Sequence, residues 1–153
     1  ALAGKLDGRA YRTFTLLGDG ELAEGSSWEA SMMAAHHQLD NLVVIVDRNG
    51  LQITGPTEEV AGLEPLVDKF RAFGYAVESV DGNDIGQLSA VFERVPFAAG
   101  KPSLVVAQTV KGSGVSFIEN QVGWHHHVPS DEEYAQAMEE LTLTERALVE
   151  VQA

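Results

Sequence analysis

The run Asn41 to Asp47 (NLVVIVD) carries almost no polar residue between its two ends. A strand that buries one face alternates apolar and polar residues. A nearly unbroken apolar run instead fits a strand buried on both faces, as inside a parallel sheet covered by helices. The rest of the chain supplies partners for it. Tyr11 to Leu17 (YRTFTLL) reads as a strand running into the turn Gly18-Asp19-Gly20. Between these two, Ser26 or Ser27 is placed to cap a helix, with Trp28, Met32, Ala35 and Leu39 on its buried face. A helix follows from about Leu63 to Phe73, closed by Gly74 as a left-handed cap. Tyr75 to Val80 is a strand, Ile85 to Val95 a helix and Pro102 to Thr109 a strand. Gly112-Ser113-Gly114 then opens a long irregular stretch to Pro129. Ser130 and Glu133 form a capping box for a last helix, from Asp131 to about Glu150. Strand and helix alternate, so the class is α/β, with a mainly parallel sheet and helices on both faces. Right-handed crossovers put the strand C-termini on one edge, where such sheets bind ligands.

At 153 residues the chain fits one domain spanning positions 1–153. Its net charge of −13 argues against a nucleic-acid partner, which requires clustered Lys and Arg. The absence of cysteine excludes disulfides, thiolate metal sites and a thiol nucleophile, and fits a cytoplasmic protein. No apolar run approaches the roughly 20 residues of a membrane span, so no membrane partner is expected. The chain lacks an initiator Met and opens in what reads as the tail of a helix closed by Gly8. The expectation is a domain incomplete at its N-terminus.

Asp19 ends one strand and Asn49 the next, with a single helix between, so both side chains emerge on the same sheet edge. A carboxylate and a carboxamide together suit Mg²⁺, which takes oxygen ligands and shares them with phosphate and water. Gly18 and Gly20 let a ligand approach the main chain, and the helix starting near Ser26 offers N–H groups to an anion. Each element also has an ordinary reading: Gly-Asp-Gly is a common turn, and Asp47 to Gly50 (DRNG) reads as a type I′ turn. The pair on matched strand ends is more specific than either.

Gly18-Asp19-Gly20, closed about thirty positions later by Asn49, resembles the thiamine diphosphate motif. The continuation GDGELAEGSSWEA, with Glu24-Gly25 and Glu29-Ala30, resembles transketolases in particular. So do Thr109 to Phe117, Glu119-Asn120, Trp124-His125 and Pro129, as found in transketolases split into two subunits. The resemblance implies that Asp19, Asn49 and the main-chain carbonyl of Leu51 ligate Mg²⁺. It implies that Gly18 and Gly20 border the diphosphate, with the Gly20 N–H donating to it. His125 would lie near the diphosphate and the substrate's reacting oxygens, in a catalytic role. Glu24 and Glu29 would belong to a glutamate network across a dimer interface.

The implied function is transfer of a two-carbon ketol unit between sugar phosphates, in partnership with a complementary pyrimidine-binding domain or subunit. The assembly would be a homodimer or heterotetramer. The glutamate that contacts the cofactor's aminopyrimidine would lie in that other half, and further cofactor-contacting histidines upstream. The alternatives are another thiamine diphosphate enzyme, of deoxyxylulose-phosphate synthase or 2-oxoacid dehydrogenase type, or a non-catalytic α/β interaction module. Two positions depart from the family pattern: Arg48 replaces an Asn, a change expected to matter little, and His126 stands where a Gly is common. His36, His37, His126 and His127 are read as non-catalytic, and Trp28 and Trp124 as packing residues.

Overall fold

The computed structural model describes residues 1–151. Its strands and helices alternate as β1 (Thr13–Gly18), α2 (Gly25–His36), β2 (Leu42–Arg48), α4 (Leu66–Phe73), β5 (Ala76–Asp81), α5 (Ile85–Glu93) and β6 (Ser103–Gln108). A short α1 (Leu2–Leu6) precedes them and α6 (Asp131–Val151) follows. A small hairpin, β3 (Leu51–Gln52) with β4 (Gly55–Pro56), and the single turn α3 (Thr57–Val60) lie between β2 and α4. The main sheet has the order β1-β2-β6-β5, and every pairing in it is parallel. Its class is α/β, as the alternation of the sequence requires.

The apolar runs take the central positions. Val43, Val44 and Val46 of β2, with Leu104, Val105 and Val106 of β6, are all buried. On one face α2 and α4 close over Val44, Val46, Leu104 and Val106, with Phe70 fully enclosed. The Phe70 ring meets Trp28, Phe73 and Tyr75. On the other face Val91 of α5, and Val95 just beyond its end, pack with Val43 and Val105. Full burial stabilises by about 1.5–3 kcal/mol for each aliphatic or aromatic side chain, which fixes which face of each strand points where.

Several boundaries differ from the sequence reading. Ser26 and Ser27 lie inside the first turn of α2, whose N-cap is Glu24 without a side-chain cap bond. The buried stripe of α2 runs through Ser31 and Ala34, while Met32 is half exposed. Ser31 tolerates burial because its hydroxyl donates to the Ser27 carbonyl at 2.7 Å. α4 begins at Leu66, since Pro65 disfavours helical geometry in the residue before it. Gly74 ends α4 with φ 104°, the expected left-handed cap. The Ser130–Glu133 capping box forms reciprocally, at 2.7 and 3.2 Å. Trp28 and Trp124 pack against aromatic neighbours. No described helix is long and apolar enough to cross a membrane.

Candidate functional site at the strand ends

Parallel pairing places Gly18 opposite Asp47, so β1 and β2 finish side by side. Asp19 follows immediately and is buried, at 1 % exposure. A carboxylate there must be satisfied, and three donors reach it. The Gly20 N–H donates to Oδ1 at 2.8 Å, the Gly50 N–H to Oδ2 at 2.6 Å, and the Arg48 guanidinium to Oδ2 at 2.9 Å. Asn49 is fixed as well: its Oδ1 accepts the Leu51 N–H at 3.0 Å and its amide donates to Asp47 at 3.1 Å. Asp47 is itself held by the Thr109 hydroxyl from the end of β6.

The Asp47–Gly50 tetrapeptide is not a type I′ turn. That turn needs positive φ at both central residues, whereas Arg48 continues β2 and only Gly50 takes positive φ, at 77°. Pairing of β2 with β6 through Arg48 overrides the local turn preference. Asn49 therefore follows the strand end directly and lines the cleft there. In the β3–β4 hairpin the Thr57 N–H donates to the Gly50 carbonyl at 2.9 Å, so the next pair, Leu51 with Pro56, is a non-hydrogen-bonded one and the Leu51 carbonyl receives no ladder bond from β4.

Asp19, Asn49, Leu51 and His125 line one cleft of about 610 Å³. Gly18 and Gly20 also border it. Glu24 does not: it is exposed at the start of α2, outside the lining, as is Glu29. Gly20 spends its N–H on Asp19, so donation to an incoming diphosphate requires that N–H to be shared. A second groove, of about 490 Å³ between Trp28, Leu63 and Phe73, is lined almost wholly by apolar groups and brings no set of polar side chains together. Of these two, the strand-end cleft is the one that brings polar side chains together.

Two residues matter more than the sequence suggested. Lys111 lines the same cleft and supplies the ammonium that an anion would meet. Its signal was its place just after a buried strand and before Gly112, whose φ of 75° turns the chain back. Arg48, assigned no role from the sequence, is the best-connected side chain of the corner, only 9 % exposed. Besides Asp19 it donates to Thr57 at 2.7 Å, Glu58 at 2.7 Å and Glu64 at 3.1 Å. Burial alone would lower its pKa, but the hydrogen bonds to Asp19 and Glu64 and the Asp19 charge raise it above the ordinary arginine value. Glu58 is held below the usual carboxylate range, first by the Leu63 N–H and further by Arg48.

His125 sits in a single 3-10 turn, Val122–His125, and is exposed toward the cleft. His126 has φ −147°, which any side chain adopts, so an imidazole there brings no backbone strain. His127 turns away, to an exposed contact with Glu133 at 3.5 Å and to the edge of Trp124. His36 and His37 lie at the far end of α2. No group of three or more His, Cys, Asp or Glu able to hold a metal occurs among the described residues. Asp19, the Asn49 carboxamide and the Leu51 carbonyl form a donor set that suits Mg²⁺ accompanied by phosphate oxygens, and Glu21 and Asp47 line the same cleft.

Known proteins resemble this chain over most of its length. Residues 6–153 match the family model of the transketolase thiamine diphosphate binding domain. One of the subunits of the apulose-4-phosphate transketolase of Phocaeicola vulgatus is 44 % identical over 142 residues, which cover 93 % of this chain and 50 % of that protein. The 6-deoxy-6-sulfo-D-fructose transketolase subunit SqwG of a Clostridium species is 41 % identical, over 92 % of this chain and 51 % of its own. The chain thus spans about half the length of the curated relatives it matches. Among solved structures, the transketolase of Campylobacter jejuni superposes with a TM-score of 0.81 at 30 % identity, over 88 % of this chain and 21 % of that one. The chain belongs to the thiamine diphosphate-binding domain family of transketolases.

Proposed function

We propose that this chain forms the part of a transketolase-type enzyme that holds the diphosphate of thiamine diphosphate through Mg²⁺. The enzyme would transfer a two-carbon ketol unit between sugar phosphates. The observation that carries the reading is the convergence of Asp19, Asn49, Leu51, Lys111 and His125 on one cleft at the C-terminal edge of the sheet. The donor set fits the group: Asp19 and Asn49 are each held in place by bonds to their neighbours, and the Leu51 carbonyl receives no ladder bond from β4. Asp19, Asn49 and Leu51 would ligate the metal, Lys111 and the Gly18–Gly20 backbone would face the diphosphate, and His125 would steady charge on substrate oxygens. Glu24, outside the cleft, is left to an interface with the partner. When bound, the cofactor supplies the carbanion chemistry, while the protein anchors and orients it.

Relatives named as single subunits of transketolases support a second polypeptide, here a pyrimidine-binding domain or subunit that completes the site. The domain fills the whole chain in this reading. Calorimetric titration of thiamine diphosphate tests it: binding should require Mg²⁺ and should be lost in Asp19→Ala. Binding that is indifferent to both would remove Asp19 from the site. Ketol transfer should appear only on adding the complementary half, so robust turnover by this chain alone would contradict the divided site.

A further inference from the structure

Arg48 stands behind Asp19 rather than in the cleft, and nothing in the proposed cofactor site requires a buried guanidinium there. A carboxylate offers roughly four lone-pair directions. Gly20, Gly50 and Arg48 take three of them, leaving one on Oδ1. The Arg48 charge also offsets that of Asp19 inside a buried pair, while its other carboxylate partners, Glu58 and Glu64, are exposed to solvent. Nor can the guanidinium swing aside as a cation enters. Thr57, Glu58 and Glu64 hold it from behind, and those glutamates are themselves fixed by the Leu63 and Leu66 N–H groups at 3.0 and 2.9 Å.

We infer that Arg48 is a positioning residue that makes this corner receive a divalent cation together with its diphosphate, and a poor site for the bare cation. The inference rests on the reading that the corner holds metal and diphosphate. A fixed positive charge one carboxylate away repels a dication. It attracts the anionic complex of that dication with a diphosphate, as does Lys111 in the lining of the same cleft. Asp19 is thereby kept oriented with a single free direction, and the cation's remaining ligands must come largely from Asn49, Leu51 and the phosphate oxygens. The order of loading follows: metal and diphosphate enter as one unit.

Mn²⁺ serves as the probe, with free ion followed by electron paramagnetic resonance, with and without inorganic pyrophosphate. Arg48→Gln keeps a donor for Asp19 and removes the charge; Arg48→Lys keeps the charge. Arg48→Gln should bind bare Mn²⁺ at least about tenfold more tightly than the parent chain, while Arg48→Lys should stay within about threefold of it. Adding Asp19→Asn to Arg48→Gln should erase the gain. The enhancement of Mn²⁺ affinity by pyrophosphate should shrink by at least about tenfold in Arg48→Gln. Bare Mn²⁺ binding no tighter in Arg48→Gln than in the parent would overturn the inference.

Thermal unfolding gives a second reading. Millimolar Mn²⁺ should raise the midpoint of Arg48→Gln more than that of Arg48→Lys, because the metal takes over the charge the guanidinium supplied. An Arg48→Gln chain that stays unfolded at every Mn²⁺ concentration would also contradict it. Failure of the parent chain to gain Mn²⁺ affinity from pyrophosphate would instead count against the proposed cofactor site, and the bare-ion comparison separates the two failures.

Discussion

One part of the cleft's wall, Asp19 and Asn49, stands at the ends of adjacent parallel strands, whereas a second part, Lys111 and His125, is carried by the long connection between β6 and α6. The first part is built into the sheet: Asp19 is buried and receives three donors, and Asn49 is tied at both ends of its amide. The second is a folded-over stretch held from outside. The Gly114 N–H donates to Glu119 at 2.9 Å, Ser116 is gripped by Glu140 of α6, and Phe117 leans on Trp124. Its hydrogen bonds are exposed to water and open at lower free-energy cost than those of the sheet. A rigid corner fixes where a metal would sit.

The largest effect should come from breaking the rigid part. Asp19→Ala leaves Arg48 without its buried partner and strands the Gly50 N–H, a loss of about 3 kcal/mol in chemical unfolding. The same change should weaken Mg²⁺-dependent cofactor binding by at least about 100-fold, measured by calorimetry under conditions where the variant is folded. Next comes Gly112→Ala. A Cβ there would lie 2.4 Å from the Ile118 side chain, on a backbone with φ 75°. The turn must shift and take Lys111 with it, so diphosphate affinity should fall by about tenfold with the sheet's thermal midpoint lowered by only a few degrees.

Removing His125 should matter less to binding. His125 is exposed and makes no bond that the corner depends on, so His125→Ala should change cofactor affinity by no more than about threefold. Its effect should appear in turnover once the complementary half is present, measured as kcat at saturating cofactor. Equal losses of affinity in His125→Ala and Asp19→Ala would erase the distinction between the two parts.

Acid provides the mildest test. Glu133 is held below the usual carboxylate range chiefly by the Ser130 N–H, and Glu140 chiefly by the Ser116 N–H. For groups whose folded pKa is depressed, the stabilisation is present above the unfolded value, about 4.3, and is lost as pH falls through the lower folded value. Hydrogen exchange should therefore show α6 and the 112–118 loop loosening below about pH 4, before the amides of β2 and β6. Simultaneous opening of both would contradict the contrast.

What could be read from the sequence follows the same divide. Asp19 and Asn49 could be placed together because strand ends obey a connection rule that needs only the order of elements, whereas Leu51 came from the family resemblance. Arg48 was not, because its partners Glu58 and Glu64 reach it through a segment that folds back after the hairpin, and no local pattern encodes that return. Ser31 was missed because its burial depends on a hydroxyl bonding back to Ser27, so the stripe through Met32 looked better by hydropathy. His125 came from resemblance rather than from periodicity, and Lys111 could be placed only once the loop was seen to turn toward the cleft.

The most direct test is the position of a metal. Crystals grown with Mn²⁺ and thiamine diphosphate should show one anomalous peak about 2.2 Å from an oxygen of Asp19, from the Asn49 side chain and from the Leu51 carbonyl. A peak elsewhere, or cofactor bound with the Asp19 corner holding no metal, would contradict the account.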